Sequence, residues 1–72
     1  MNDSAGVGAR ASRARKLAGL SQRALATRAH VSLSLLRKVE QGDRPASPAF
    51  TAAIAAALGL SPDALYLSLI HI

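Results

Sequence analysis

The sequence predicts an all-α fold, a compact domain of five short helices. Three observations carry that prediction. Serines recur just ahead of helix-compatible runs, glycines recur at the far ends of the same runs, and nothing before the last six residues reads as a strand. With 72 residues the chain can bury one core, and with no cysteine it has neither disulfides nor a thiolate metal site to support it, so packed helices must do so.

The punctuation sets each element. Ser21, Ser32, Ser47 and Ser61 stand where a side-chain oxygen can accept from the orphan amides of a first helical turn. Pro48 and Pro62 follow two of them, at a position where a missing N–H costs nothing. Gly19, Gly42 and Gly59 occupy closing positions that favour left-handed backbone, and His30 fills the equivalent slot between Ala29 and Val31. The expected helices are therefore 7–18, 22–29, 33–40, 48–58 and 62–67. Connections this short make successive helices packing neighbours.

Apolar spacing assigns the inner faces. Leu25, Ala26 and Ala29 share one side of the second helix, and Leu36 and Val39 one side of the third. Phe50, Ala53, Ile54, Ala57 and Leu58 form a stripe on the fourth, and Leu65 is expected to close the core. Residues 1–6, small and polar, are expected to be a disordered arm. Leu67–Ile72, β-branched and uncharged, has four open readings: an edge strand, a dimer contact, the cut end of a longer chain or a non-native read-through. Residues 68–72 are accordingly set apart as a tail of unassigned origin.

Charge is segregated along the chain. Nine Lys and Arg against four Asp and Glu give +5 and a pI near 11.3. All nine cations lie in residues 1–44 with three acids, a local +6, whereas residues 45–72 hold Asp63 alone. That asymmetry points to a polyanion, nucleic acid ahead of an anionic membrane. A basic amphipathic membrane binder fits less well, because cations and apolar residues are separated along the chain rather than across one helix. The longest apolar stretch, Ala49 to Leu60, falls short of the roughly 20 residues a span needs, and Asp3 argues against a secretory leader, so the expectation is a cytoplasmic, nucleoid-associated protein. Two His and four carboxylates do not make a plausible acid–base or metal centre. No enzyme activity, cofactor or metal is expected.

Taken in order, Val7-Gly8, Arg15, Gly19-Leu20-Ser21-Gln22, Leu25-Ala26, Val31-Ser32-Leu33-Ser34, Leu36, Val39-Glu40-Gln41-Gly42, Ser47 and Ala57-Leu58-Gly59-Leu60 resemble the lambda-repressor-like, XRE-type helix-turn-helix domains. The resemblance covers residues 7–67 without a gap. Each fragment alone is weak, and the ordered series is specific. It implies sequence-specific binding of double-stranded DNA by a prokaryotic or phage-type transcriptional regulator, a repressor, with the helix at 33–40 in the major groove.

The resemblance also implies site residues. Leu33, Ser34 and Lys38 would face bases, Gln22 a phosphate or base edge, and Arg37 and Gln41 the backbone. With Arg23, Ser32 and Arg44 these make up the expected DNA-binding set. Arg15 and Glu40 would form a buried structural ion pair, which also accounts for the one acid between residues 4 and 42. Plainer readings stand beside these. Ser34 can be a solvated helix residue, Lys38 can touch phosphate rather than base, and Gln22 can be a first-turn residue behind the Ser21 cap. Leu33 can meet a thymine methyl or a protein, and Leu35 is equally open.

A single module reads few base pairs, so a homodimer on half-sites one turn apart is expected, with Leu60, Leu65, Tyr66, Leu67 and the tail as its surface. The rival function is a protein-interaction module, antitoxin-like or adaptor, whose exposed Leu33 and Leu35 meet a protein partner. The sequence departs from the family pattern at four further positions. Small Ala11 and Ala14 require the first helix to pack close, and His30 must adopt positive φ where a glycine is customary. Thr51 replaces an apolar residue, with Phe50 rotated in to fill the space.

Overall fold

The helices expected to open after Ser21, Ser32 and Ser47 each begin as a capped first turn. In the computed structural model, which describes residues 3–61 and Leu65, with side chains from Gly6 onward, four helices follow one another: α1 (Asp3–Leu17), α2 (Gln22–Ala29), α3 (Leu33–Glu40) and α4 (Pro48–Leu58). Ser21 Oγ accepts from Ala24 N, Ser32 Oγ from Leu35 N and Ser47 Oγ from Phe50 N, each at 3.0 Å. Such a cap contributes on the order of 1 kcal/mol, which matters for eight-residue helices too short to hold on propensity alone.

The helix ends share one device. A left-handed residue (Gly19, His30, Gly42 or Gly59) donates its N–H back into the last turn, and the next residue reaches one carbonyl further. Between α2 and α3, His30 holds φ 58° and ψ 39°, and Val31 N donates to Ala26 O at 3.0 Å. A β-branched residue there would meet its own carbonyl, whereas His tolerates the region at modest strain. The result is a three-residue turn, residues 30–32, between two short helices.

Four helices, not five, are present among the described residues. The fifth, expected at 62–67, falls outside them except for Leu65, which is helical and 1% exposed. Tyr66, Leu67 and the tail also lie outside the described residues. The first helix differs as well: it begins at Asp3 rather than residue 7, so residues 3–6 of the segment expected as an arm are helical.

The core gathers Val7, Ala11, Leu25, Ala26, Ala29, Leu36, Val39, Phe50, Ile54, Ala55 and Leu65. Helix α1 packs on α3 and α4, and α2 packs on the same two. Small residues let α1 come close. Ala11 is fully buried, and a Cβ added at Gly8 would overlap the Val39 carbonyl oxygen and lie 3.0 Å from its carbon. On α4 the buried face is Phe50, Thr51, Ile54 and Ala55, whereas Ala53, Ala57 and Leu58 of the expected stripe are half-buried at its edge. Thr51 is acceptable in the interior because its Oγ1 donates to Ser47 O at 3.0 Å. Among the described residues no helix is long and apolar enough to cross a membrane.

Candidate nucleic-acid interface

The third helix owes its position to one buried carboxylate. Glu40, in the last turn of α3, accepts from Arg15 of α1 through both oxygens: Nε to Oε2 at 2.9 Å and Nη2 to Oε1 at 3.1 Å. The side chains are 10% and 5% exposed, so the pair is largely removed from water. Arg15 spends its remaining arm on Leu20 O at 2.9 Å, just beyond the end of its own helix. Gln22, at the start of α2, donates from Nε2 to Glu40 Oε1 at 3.0 Å. A bidentate pair with two further hydrogen bonds meets the conditions under which a buried ion pair is tolerated. Three helices are tied at that one carboxylate.

Gln22 is thus half-buried with its amide directed inward, a partner that residue spacing does not reveal. The other expected DNA-binding side chains lie outside. Arg23, Ser32, Ser34, Arg37, Lys38, Gln41 and Arg44 are exposed. Leu33, Ser34, Arg37, Lys38 and Gln41 line one shallow, open concavity of about 450 Å³ along α3. Their spacing at i, i+1, i+4, i+5 and i+8 puts them on one helix face, opposite the buried Leu36 and Val39.

Two leucines depart from expectation. Leu33 and Leu35 are half-buried and packed against the core rather than standing free. Leu65 closes the core, as one expectation had it, rather than standing on a dimer surface, and its carbonyl accepts from Arg10 Nη1 at 3.1 Å. The large apolar side chains that do stand exposed among the described residues are Leu17, at 82%, and Leu60, at 38%.

Electrostatically, the α2–turn–α3 unit and the loop after it present Arg23, Arg28, Arg37, Lys38 and Arg44 to solvent. With Glu40 neutralised internally, the exposed acid in this stretch is Asp43. A surface of this kind attracts a polyanion and offers donors to phosphate.

A family model described as "Helix-turn-helix domain" matches residues 7–66. The chain belongs to this family. Two eight-residue helices joined by a three-residue turn are what the name describes. Membership makes DNA the partner and agrees with the XRE, lambda-repressor-like resemblance in the sequence. No curated protein and no solved structure matches the chain.

Proposed function

We propose that this helix-turn-helix domain binds double-stranded DNA sequence-specifically as part of a prokaryotic or phage-type transcriptional regulator of the XRE, lambda-repressor-like kind, and represses by occluding a promoter. The observation that carries the reading is α3 itself. One face is buried and locked by Glu40, and the opposite face presents Ser34, Arg37, Lys38 and Gln41 beside Leu33. A helix held this way can lie in a major groove with its first turn at base edges.

In this reading Leu33, Ser34 and Lys38 meet bases, while Arg23, Arg37, Gln41 and Arg44 position the domain on phosphates. Ser32 caps the helix and, through its place in the turn, lies beside the backbone. Gln22 contributes to the DNA face from the start of α2, held by Glu40. Arg15 and Glu40 are structural. A homodimer reads two half-sites about one helical turn apart. The reading places the protein in the cytoplasm, at the nucleoid.

The test is selection from random duplex DNA with the purified domain, followed by anisotropy of the enriched pool at several salt concentrations. An inverted repeat with half-sites about 10 bp apart is expected. With about 5–7 cations on phosphate, log K should fall with log salt at a slope of roughly −5 to −6, a loss of about 10³-fold between 50 and 200 mM salt. Absence of binding at low salt refutes the reading. Binding without enrichment removes the sequence-specific part.

A further inference from the structure

The five side chains lining the concavity on α3 are chemically uneven. Arg37 and Lys38 only donate, Ser34 and Gln41 both donate and accept, and Leu33 does neither. The nearby carboxylate of Glu40 adds no acceptor to this face, because it is buried and engaged with Arg15 and Gln22. Leu33 is also anchored from beneath. It is the first residue of α3, directly after the Ser32 cap, half-buried and packed against the core. Leu35 packs against the core as well but is not among the residues that line the concavity. The face therefore carries one apolar contact point, at a fixed place within a polar and cationic surround.

Resting on the DNA-binding reading above, we propose that Leu33 is a specificity-determining residue that reads the C5-methyl group of a thymine. The first turn of a groove-bound helix meets base edges, and in the major groove the thymine methyl is the apolar feature a base edge presents. Adenine N6, cytosine N4 or guanine O6 placed against Leu33 would lose water without gaining a partner, at a cost on the order of tenfold or more in affinity. A protein partner fits this surface poorly. One apolar side chain bordered by Arg37 and Lys38 provides little area to bury, and the same two cations match the phosphates flanking a groove.

The experiment replaces each thymine of the selected operator, one at a time, by uracil, which removes the methyl and preserves every hydrogen-bonding group. Affinities are measured by anisotropy for the wild-type domain, Leu33→Met and Leu33→Ala, with the helical circular dichroism of each variant recorded. One thymine per half-site is expected at which uracil weakens wild-type binding roughly fourfold, about the value of one buried methyl. Leu33→Met should retain that discrimination and Leu33→Ala should lose it. A bound, enriched operator indifferent to every thymine methyl overturns the proposal while leaving the DNA reading intact, as does methyl sensitivity that survives in a folded Leu33→Ala. Should Leu33→Ala unfold, the wild-type scan and Leu33→Met still decide. Failure to enrich any sequence overturns sequence-specific reading and this proposal together.

Discussion

Gly8 is where the fold is least tolerant of one added carbon. A Cβ built there would overlap the Val39 carbonyl oxygen and lie 3.0 Å from Val39 C and 3.4 Å from Glu40 Cα. Ordinary carbon–carbon contact is about 3.5–4.0 Å, and the obstructing atoms are backbone, so no side-chain rotation relieves the clash. Helices α1 and α3 must separate by about 1 Å to reach that contact distance. Separation loosens Val7 and Ala11, both essentially without solvent exposure, and stretches the Arg15–Glu40 pair that joins the same two helices. Overpacking of this kind costs about 1–3 kcal/mol, and occasionally more, and backbone contact on both sides puts this case at the upper end. Against it, alanine gains about 1 kcal/mol over glycine in a helix interior. The expected net effect of Gly8→Ala is a loss of about 2 kcal/mol, the packing cost less the helix gain.

Gly6 supplies the control within the same helix. The three atoms nearest its added Cβ all belong to the Arg10 guanidinium, Nη1 at 3.1 Å, at the far end of a flexible side chain. Gly6→Ala should therefore be neutral or stabilise by up to about 1 kcal/mol. Urea denaturation followed by far-ultraviolet circular dichroism compares the pair. For a domain of this size the Gly8→Ala loss corresponds to a fall in Tm of roughly 8–16 °C. If Gly8→Ala matched Gly6→Ala, the close crossing of α1 over α3 would be wrong.

Other perturbations test the remaining supports. Arg15→Met strands Glu40 with Gln22 alone and should cost about 3–5 kcal/mol, whereas the apolar double replacement Arg15→Met with Glu40→Leu should recover most of that loss; thermal denaturation of the three variants decides it. His30→Gly relieves the positive φ between α2 and α3 and should stabilise by about 0.5–1 kcal/mol, while His30→Val should destabilise, both read from urea midpoints. Ser32→Ala removes the α3 cap and should cost about 1 kcal/mol by the same assay. On DNA, Arg23→Ala should reduce the salt slope by about 1 and weaken all sequences alike, and Lys38→Ala should in addition relax preference within the half-site; anisotropy on operator and scrambled duplexes separates the two.

Much of this architecture was legible because its signals are local. The spans of α2, α3 and α4 coincide with the intervals Ser21–His30, Ser32–Gly42 and Ser47–Gly59, since a cap is a hydrogen bond to a neighbour three residues away and leaves its mark in sequence. What escaped is tertiary. Ala11 packs close and Arg15 pairs with Glu40 as expected, but Val7 completes that inward face of α1 at i, i+4 and i+8 unannounced, because a stripe of small and charged residues carries little hydrophobic signal. Thr51 and Ala55 were missed on α4 for a related reason: a threonine enters the core when a carbonyl in its own helix takes its hydroxyl. Conversely, Leu35 looked exposed by its place on α3, because periodicity within one helix does not report contacts with the rest of the core. The positions of the candidate site follow from the ordered motif. The hydrogen bond from Gln22 to Glu40 crosses 18 residues and leaves no trace in spacing.

That hydrogen bond bears on how so small a domain could present a rigid reading surface. Helix α3 has eight residues, with Leu36 and Val39 buried and Leu33 and Leu35 packed half-buried against the core, and apolar contact of this kind is not directional. The constraint comes instead from its C-terminal carboxylate, held in two directions by Arg15 and from a third side by Gln22, while Ser32 closes the opposite end. A hydrophobic replacement of the pair could match its stability, but it would not match its directionality, because apolar contact permits sliding that a bidentate guanidinium–carboxylate geometry forbids. The Arg15→Met, Glu40→Leu double variant separates the two contributions. Stability should return while discrimination between operator and scrambled DNA falls, and recovery of both would show that packing alone orients the helix.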